Sequence, residues 1–143
     1  GIFRIAGIYG PRRNTLLNLA EGRARRLVKP GQVFNRIHVA DIAAGLAAAV
    51  VAPATRIYNL ADDEPAPPQD VVTYSAELMG IEPPAELPFD AAALSPMARS
   101  FYAENKRVSN ARIKAELGVA LRYPTYRDGL AALWRNGTWR GED

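Results

Sequence analysis

The chain has 143 residues, 48% hydrophobic and 23% charged, with a net charge of +3, which suits one folded domain with a real core and excludes a wholly disordered chain. It holds no cysteine and one histidine, His38, which excludes disulfides, cysteine nucleophiles, iron–sulfur clusters, thiolate zinc and multi-histidine metal sites. It shows no basic-then-apolar leader and no run near the ~18 apolar residues of a membrane span, so a cytoplasmic protein that meets no membrane is expected.

Residues 2–9 (Ile-Phe-Arg-Ile-Ala-Gly-Ile-Tyr) read as one strand with no lead-in, as in a piece of a longer chain, and Gly10-Pro11 break it. Asn14 or Thr15 caps a short helix carrying Leu16, Leu17 and Leu19, and Gly22 ends it. Leu27-Val28 and Gln32-Val33-Phe34 flank Pro30-Gly31, which predicts a hairpin. After extended Ile37-His38-Val39, Asp41 sits where a helix start favours negative charge, and an Ala-rich helix runs to Val51. Pro53 is expected to stop it, and Arg56 to Leu60 reads as a strand.

The acidic, proline-rich stretch Asp62 to Pro68 reads as a solvated loop. The next helix places Val71, Tyr74, Ser75 and Leu78 on one face and ends at Gly80. Residues 82–88 hold three prolines and form no regular helix; residues 90–102 carry short helices broken at Pro96. Lys106 to Val108 is extended, and Asn110 caps a helix with Ile113 and Leu117 inward and Gly118 at its end. A last helix after Pro124 puts Tyr126, Leu130, Leu133 and Trp134 on one face, and Gly137 closes it. Trp134 and Trp139 are expected near the C-terminus, with Trp139 exposed to a partner such as a second copy. Early alternation of strands and helices followed by a helix-rich part argues an α/β class.

Charge is segregated. Residues 1–36 carry eight Arg or Lys against one acid; the remainder carries ten against fourteen. Such a basic block can hold an anionic ligand. It lacks interleaved aromatics for base stacking, so no nucleic-acid partner is expected.

Four segments in order, Arg4 to Pro11, Ile37-His-Val-Ala-Asp41, Ile57 to Pro65, and Asn110 to Gly118 with Tyr123-Pro124, resemble the C-terminal half of the NAD-dependent epimerase/dehydratase family, the extended or atypical short-chain dehydrogenases. The resemblance runs from about residue 3 to residue 134. It implies the last strands of a Rossmann-like sheet plus a helix-rich substrate-binding part, forming a single C-terminal domain or fragment over residues 1–143. The N-terminal Rossmann half, with its Gly-rich loop and catalytic Tyr-x-x-x-Lys, would lie elsewhere. NAD or NADP would serve the full-length parent, and this chain alone is expected to bind none, because nothing in it cradles a pyrophosphate. No catalytic residue and no metal is expected in it.

By the same resemblance, Ala6, Gly7 and Ile8 border the cofactor, their small side chains allowing close backbone approach. Tyr9, Gly10, Arg13 and Asn14 follow that strand, where ligands of open α/β sheets bind, and are candidate substrate residues. Arg13 offers a guanidinium to a phosphate or carboxylate. Arg36 and His38 point to one side of an extended segment and join the candidates, although a lone histidine is more often structural. Phe34 stands where the family commonly carries a substrate-binding arginine. Tyr102-Ala-Glu-Asn-Lys106 matches Tyr-x-x-x-Lys, but it follows the His-Val-Ala-Asp segment that the family's pair precedes, and it reads as a chance match. The reading is therefore a substrate-binding part of an NAD(P)-dependent epimerase/dehydratase-like oxidoreductase acting on a small molecule, partnered by its missing half and, as a homo-oligomer, by a second copy. The alternative is a non-catalytic module that binds a phosphate-rich ligand through the basic block.

Overall fold

A computed structural model describes residues 1–51 and 56–141, so the expected stop at Pro53 lies outside the described residues. The opening extended run is not one strand. It divides at Ala6 into β1 (Ile2–Ile5) and β2 (Gly7–Tyr9) because it changes partner there. β1 lies parallel to β5 (Ile57–Leu60), and the Ala6 N–H still donates to the Leu60 carbonyl at 3.0 Å. One residue on, the Gly7 N–H donates to the Asn35 carbonyl at 3.1 Å, and β2 runs parallel to β4 (Arg36–His38).

The expected hairpin is corrected as well. Pro30-Gly31 do make a tight turn, with the Gln32 N–H on the Lys29 carbonyl at 3.0 Å and Gly31 at φ +79°. The flanking segments nevertheless find other partners. β3 (Arg26–Val28) pairs in parallel with β6 (Glu86–Pro88), and Phe34 bridges to Ala66. A turn reverses the chain but does not oblige the two arms to pair. The three strand pairs among the described residues are all parallel, as expected of an α/β class.

The helices follow local chemistry. In α1 (Thr15–Ala20) the Asn14 side chain accepts the Leu17 N–H and caps the first turn. α2 (Val39–Val51) begins straight after β4. α3 (Pro68–Met79) starts with proline at its first position and ends on left-handed Gly80. Pro96 opens rather than breaks a helix: it is the first residue of α4 (Pro96–Ala103), capped by Ser95, because a missing N–H costs nothing there. α5 (Ala111–Leu117) and α6 (Tyr126–Asn136) complete the chain, the latter with a Thr125–Asp128 capping box.

Two clusters make the core. Tyr9, Leu16, Val71, Tyr126, Leu130 and Leu133 pack between β2, α1, α3 and α6. Tyr58, Leu60, Ile113 and Val119 pack beneath β5 and α5. Trp139 is not free for a partner: it is half-buried against the first cluster, 5.7 Å from the Trp134 ring. Among the described residues no helix is long and apolar enough to cross a membrane.

Candidate functional site

The turn after β2 has proline at its second position and Arg12, at φ +69°, at its third. A left-handed non-glycine residue is held only where its surroundings insist. Here the Arg12 N–H donates to the Trp139 carbonyl at 3.1 Å, and the Asn14 amide nitrogen bridges the Gly10 and Trp139 carbonyls at 2.8 and 2.9 Å. The loop is thereby stapled to the C-terminal segment.

Beneath it lies a cavity of about 190 Å³. Ile8, Tyr9, Arg13, Asn14 and Arg36 line it, joined by Tyr126 from α6. Five candidates separated by up to 28 positions thus share one wall. Asn14 gives this wall shape rather than donors, since both its amide hydrogens are already engaged. Arg13 is exposed at the rim. Arg36 is half-buried, with Nη1 donating to the Phe34 and Ala66 carbonyls at 3.0 and 3.2 Å. Burial lowers its pKa from the usual guanidinium range, and the field of Asp62 opposes that shift. The cavity lining carries no carboxylate among the described residues.

The other candidates lie elsewhere. Ala6 and Gly7 line a separate cleft of about 820 Å³ between the β1–β2 segment and residues 100–109, and Gly7 also lines a cavity that adjoins the first. Gly10 lies against α2, where a Cβ would meet Val39 Cγ1 at 2.7 Å. His38 is buried, its ring 4.1 Å from Tyr123 and edge-on to Tyr9 at 5.2 Å. Its Nδ1 accepts the Ala40 N–H at 3.0 Å, so the neutral ring carries its proton on Nε2. Burial lowers its pKa, partly offset by Asp41. Burial also raises the Tyr9 phenol, with Asp62 and Asp41 adding to the effect. Tyr9 therefore stays protonated.

Lys106 falls outside α4 and pairs with Glu104, while Tyr102 packs edge-on to Phe34 at 5.1 Å. Part of the basic block is drawn into the fold, while Arg4, Arg12, Arg13, Arg23 and Arg25 stay exposed. Arg26 reaches the Pro84 carbonyl and Lys29 the Tyr102 carbonyl, each at 2.5 Å, and Arg23 pairs with Glu21. Among the described residues no three His, Asp or Glu side chains are placed to hold a metal.

The acidic loop is not uniformly solvated. Asp63 pairs with Lys114 at 2.6 Å and Glu64 with Arg127 at 3.5 Å, but Asp62 is buried. Its Oδ1 accepts the Glu64 N–H, and its Oδ2 has no partner among the described residues. Burial raises its pKa to about 7. A folded pKa above the unfolded one means the native state holds the extra proton, so stability falls as pH rises toward the folded pKa. Between about pH 6 and 8 the chain should lose about 1.4 kcal/mol of stability through this group. Asp62→Asn should flatten that slope in urea titrations; an unchanged slope would show that Asp62 titrates normally.

No protein-family model matches the chain. A conserved protein of unknown function from Silicibacter pomeroyi DSS, of solved structure, is 58% identical with a TM-score of 0.88, over 94% of this chain and 47% of that one. The UDP-glucose 4-epimerase of Thermus thermophilus, solved with NAD, superposes at a TM-score of 0.70 with 20% identity, over 99% of this chain and 46% of that one. The fold is that of the C-terminal half of the NAD-dependent epimerase/dehydratase family. Among curated proteins, a 3-diazoavenalumate denitrifying reductase of a Streptomyces species is 29% identical over 140 residues, 90% of this chain and 45% of that protein. The chain spans about half the length of the relatives it matches.

Tyr126 and Val71 also line the cavity, although their helical spacing marks them only as core. Phe34 and Tyr102, neither of them a site candidate from the sequence, both line a neighbouring cavity.

Proposed function

We propose that this chain is the substrate-binding part of an NAD(P)-dependent epimerase/dehydratase-like oxidoreductase. One observation carries the reading. Arg13 and Arg36 line one cavity with protonated Tyr9, and among the described residues no carboxylate lines that cavity to neutralise them. Two guanidiniums over an aromatic wall suit a small anionic substrate. The curated relative is named a reductase, which agrees with hydride chemistry on such a substrate.

The surface supports a missing layer. β1 and β5 each have one strand partner among the described residues, and Ile2, Ile5 and Ile57 beside these open edges are exposed. Val39, Leu46 and Val50 form an exposed apolar stripe along α2. Sheets of this kind are covered on both faces, and an uncovered apolar surface of this extent implies a partner. We assign it to the N-terminal Rossmann half, which would carry the Gly-rich loop, the cofactor and the acid/base pair. In this division of labour the chain binds and orients substrate and excludes water, while hydride transfer belongs to the nicotinamide held by the other half.

The test is NAD(P)H binding followed by fluorescence. The 143-residue chain alone should show no micromolar affinity, and the protein as the cell makes it should bind NADH or NADPH. Micromolar binding by the isolated chain would overturn the reading.

A further inference from the structure

We infer that the substrate is a small aromatic carboxylate, its carboxylate on Arg36 and its ring among Phe34, Phe101 and Tyr102. This rests on the substrate-binding role proposed above and names the chemistry of that site.

A second cavity, of about 490 Å³, adjoins the first and shares Ile8, Tyr9 and Arg36 with it. Its far wall is aromatic: Phe34, Phe101 and Tyr102. Among the described residues, Arg36 is the one charged side chain that lines it. A single cation on a mostly apolar wall, whose one amide, Asn35, is already bonded to the Lys106 carbonyl and the Val108 N–H, selects a ligand with one anionic end and an apolar body.

The guanidinium is oriented and incompletely used. The Phe34 and Ala66 carbonyls take Nη1. No carboxylate lies within ion-pair distance of it among the described residues, and Asp62 acts on it only through its field. A half-buried guanidinium in this position is short of an anion, and a carboxylate meets its fork with two parallel hydrogen bonds.

The aromatic end is open at Phe101. Phe34 and Tyr102 stand perpendicular with centroids 5.1 Å apart, forming a corner, and Phe89 already packs on Tyr102 at 4.9 Å. Phe101 is 61% exposed, and α4, which carries it, buries no residue of its own. A third ring set into that corner would cover Phe101 and meet Phe34 and Tyr102 in the offset or edge-on contacts that aromatic rings prefer. A sugar would leave these faces unmatched, and its hydroxyls would find few acceptors on this wall.

The experiment is calorimetric titration of the protein as the cell makes it, loaded with NADP or NAD, using cinnamate, cinnamamide and UDP-glucose. Cinnamate should bind, and cinnamamide should bind about tenfold or more weakly, the loss of one charge-assisted contact. Arg36→Gln should weaken cinnamate by about tenfold or more and leave cinnamamide nearly unchanged. Phe101→Ala, at an exposed position that does not endanger folding, should weaken both while preserving their ratio. Equal affinity for acid and amide, no binding of cinnamate, or preferential binding of UDP-glucose would each overturn the inference. In these cases the loaded cofactor still stands for the underlying reading, whereas failure to bind NADP or NAD at all would overturn that reading first.

Discussion

Replacing Asp41 with alanine should lower the unfolding free energy by about 3 kcal/mol, since two partly buried N–H groups left without acceptors cost about 1–3 kcal/mol each. Asp41 is 1% exposed in the first turn of α2. The sequence places it there for the helix dipole, but its carboxylate has a second, long-range task. Oδ1 accepts the Arg122 N–H at 2.7 Å and Oδ2 the Tyr123 N–H at 3.0 Å, across more than 80 residues. It thereby fixes the loop that leads into α6. The consequence reaches the site, because Tyr123 lies against His38 and His38 against Tyr9. Asp41→Asn keeps one acceptor and should cost roughly half as much. Urea unfolding at neutral pH measures both; a loss below about 1 kcal/mol for the alanine variant would mean that water replaces the carboxylate in the loop.

The Asp41 case shows where sequence reading stops. Features decided within a few residues were legible: the Asn14 cap, the glycine ends at Gly80, Gly118 and Gly137, and the buried stripes of α3 and α6. Each depends on a periodicity or on a backbone need that only certain residues meet. Pairings across long separations were not legible. Nothing local in Arg26–Val28 announces Glu86–Pro88 as its partner, and nothing local in residues 2–9 shows a change of partner at Ala6. The candidate site divides in the same way. Tyr9, Arg13 and Asn14 are close in sequence, and Arg36 follows from strand alternation. Tyr126, Phe101 and Tyr102 are brought in by topology, and their spacing suggests only packing.

Gly129→Ala should destabilise the chain by about 2 kcal/mol although alanine is the better helix former by about 1 kcal/mol. Gly129 is buried in α6, and its bare Cα faces the Tyr9 ring. A Cβ would overlap the Tyr9 hydroxyl and come within 2.7 Å of two ring carbons. Tyr9 cannot simply swing aside, because it is 8% exposed, is met edge-on by His38, and belongs to the cluster containing Leu16 and Tyr126. Overpacking of this kind costs about 1–3 kcal/mol, which outweighs the propensity gain. The ring's remaining way out is toward the cavity it lines, so ligand affinity should fall together with stability. Tyr9→Phe separates the two effects. It removes the atom that overlaps most and gives up only a long hydrogen bond to the Thr125 carbonyl at 3.4 Å. The double variant should therefore be less destabilised than the two single changes added together. Strict additivity in urea unfolding would show that Gly129 is needed for something other than the close approach of α6 to Tyr9.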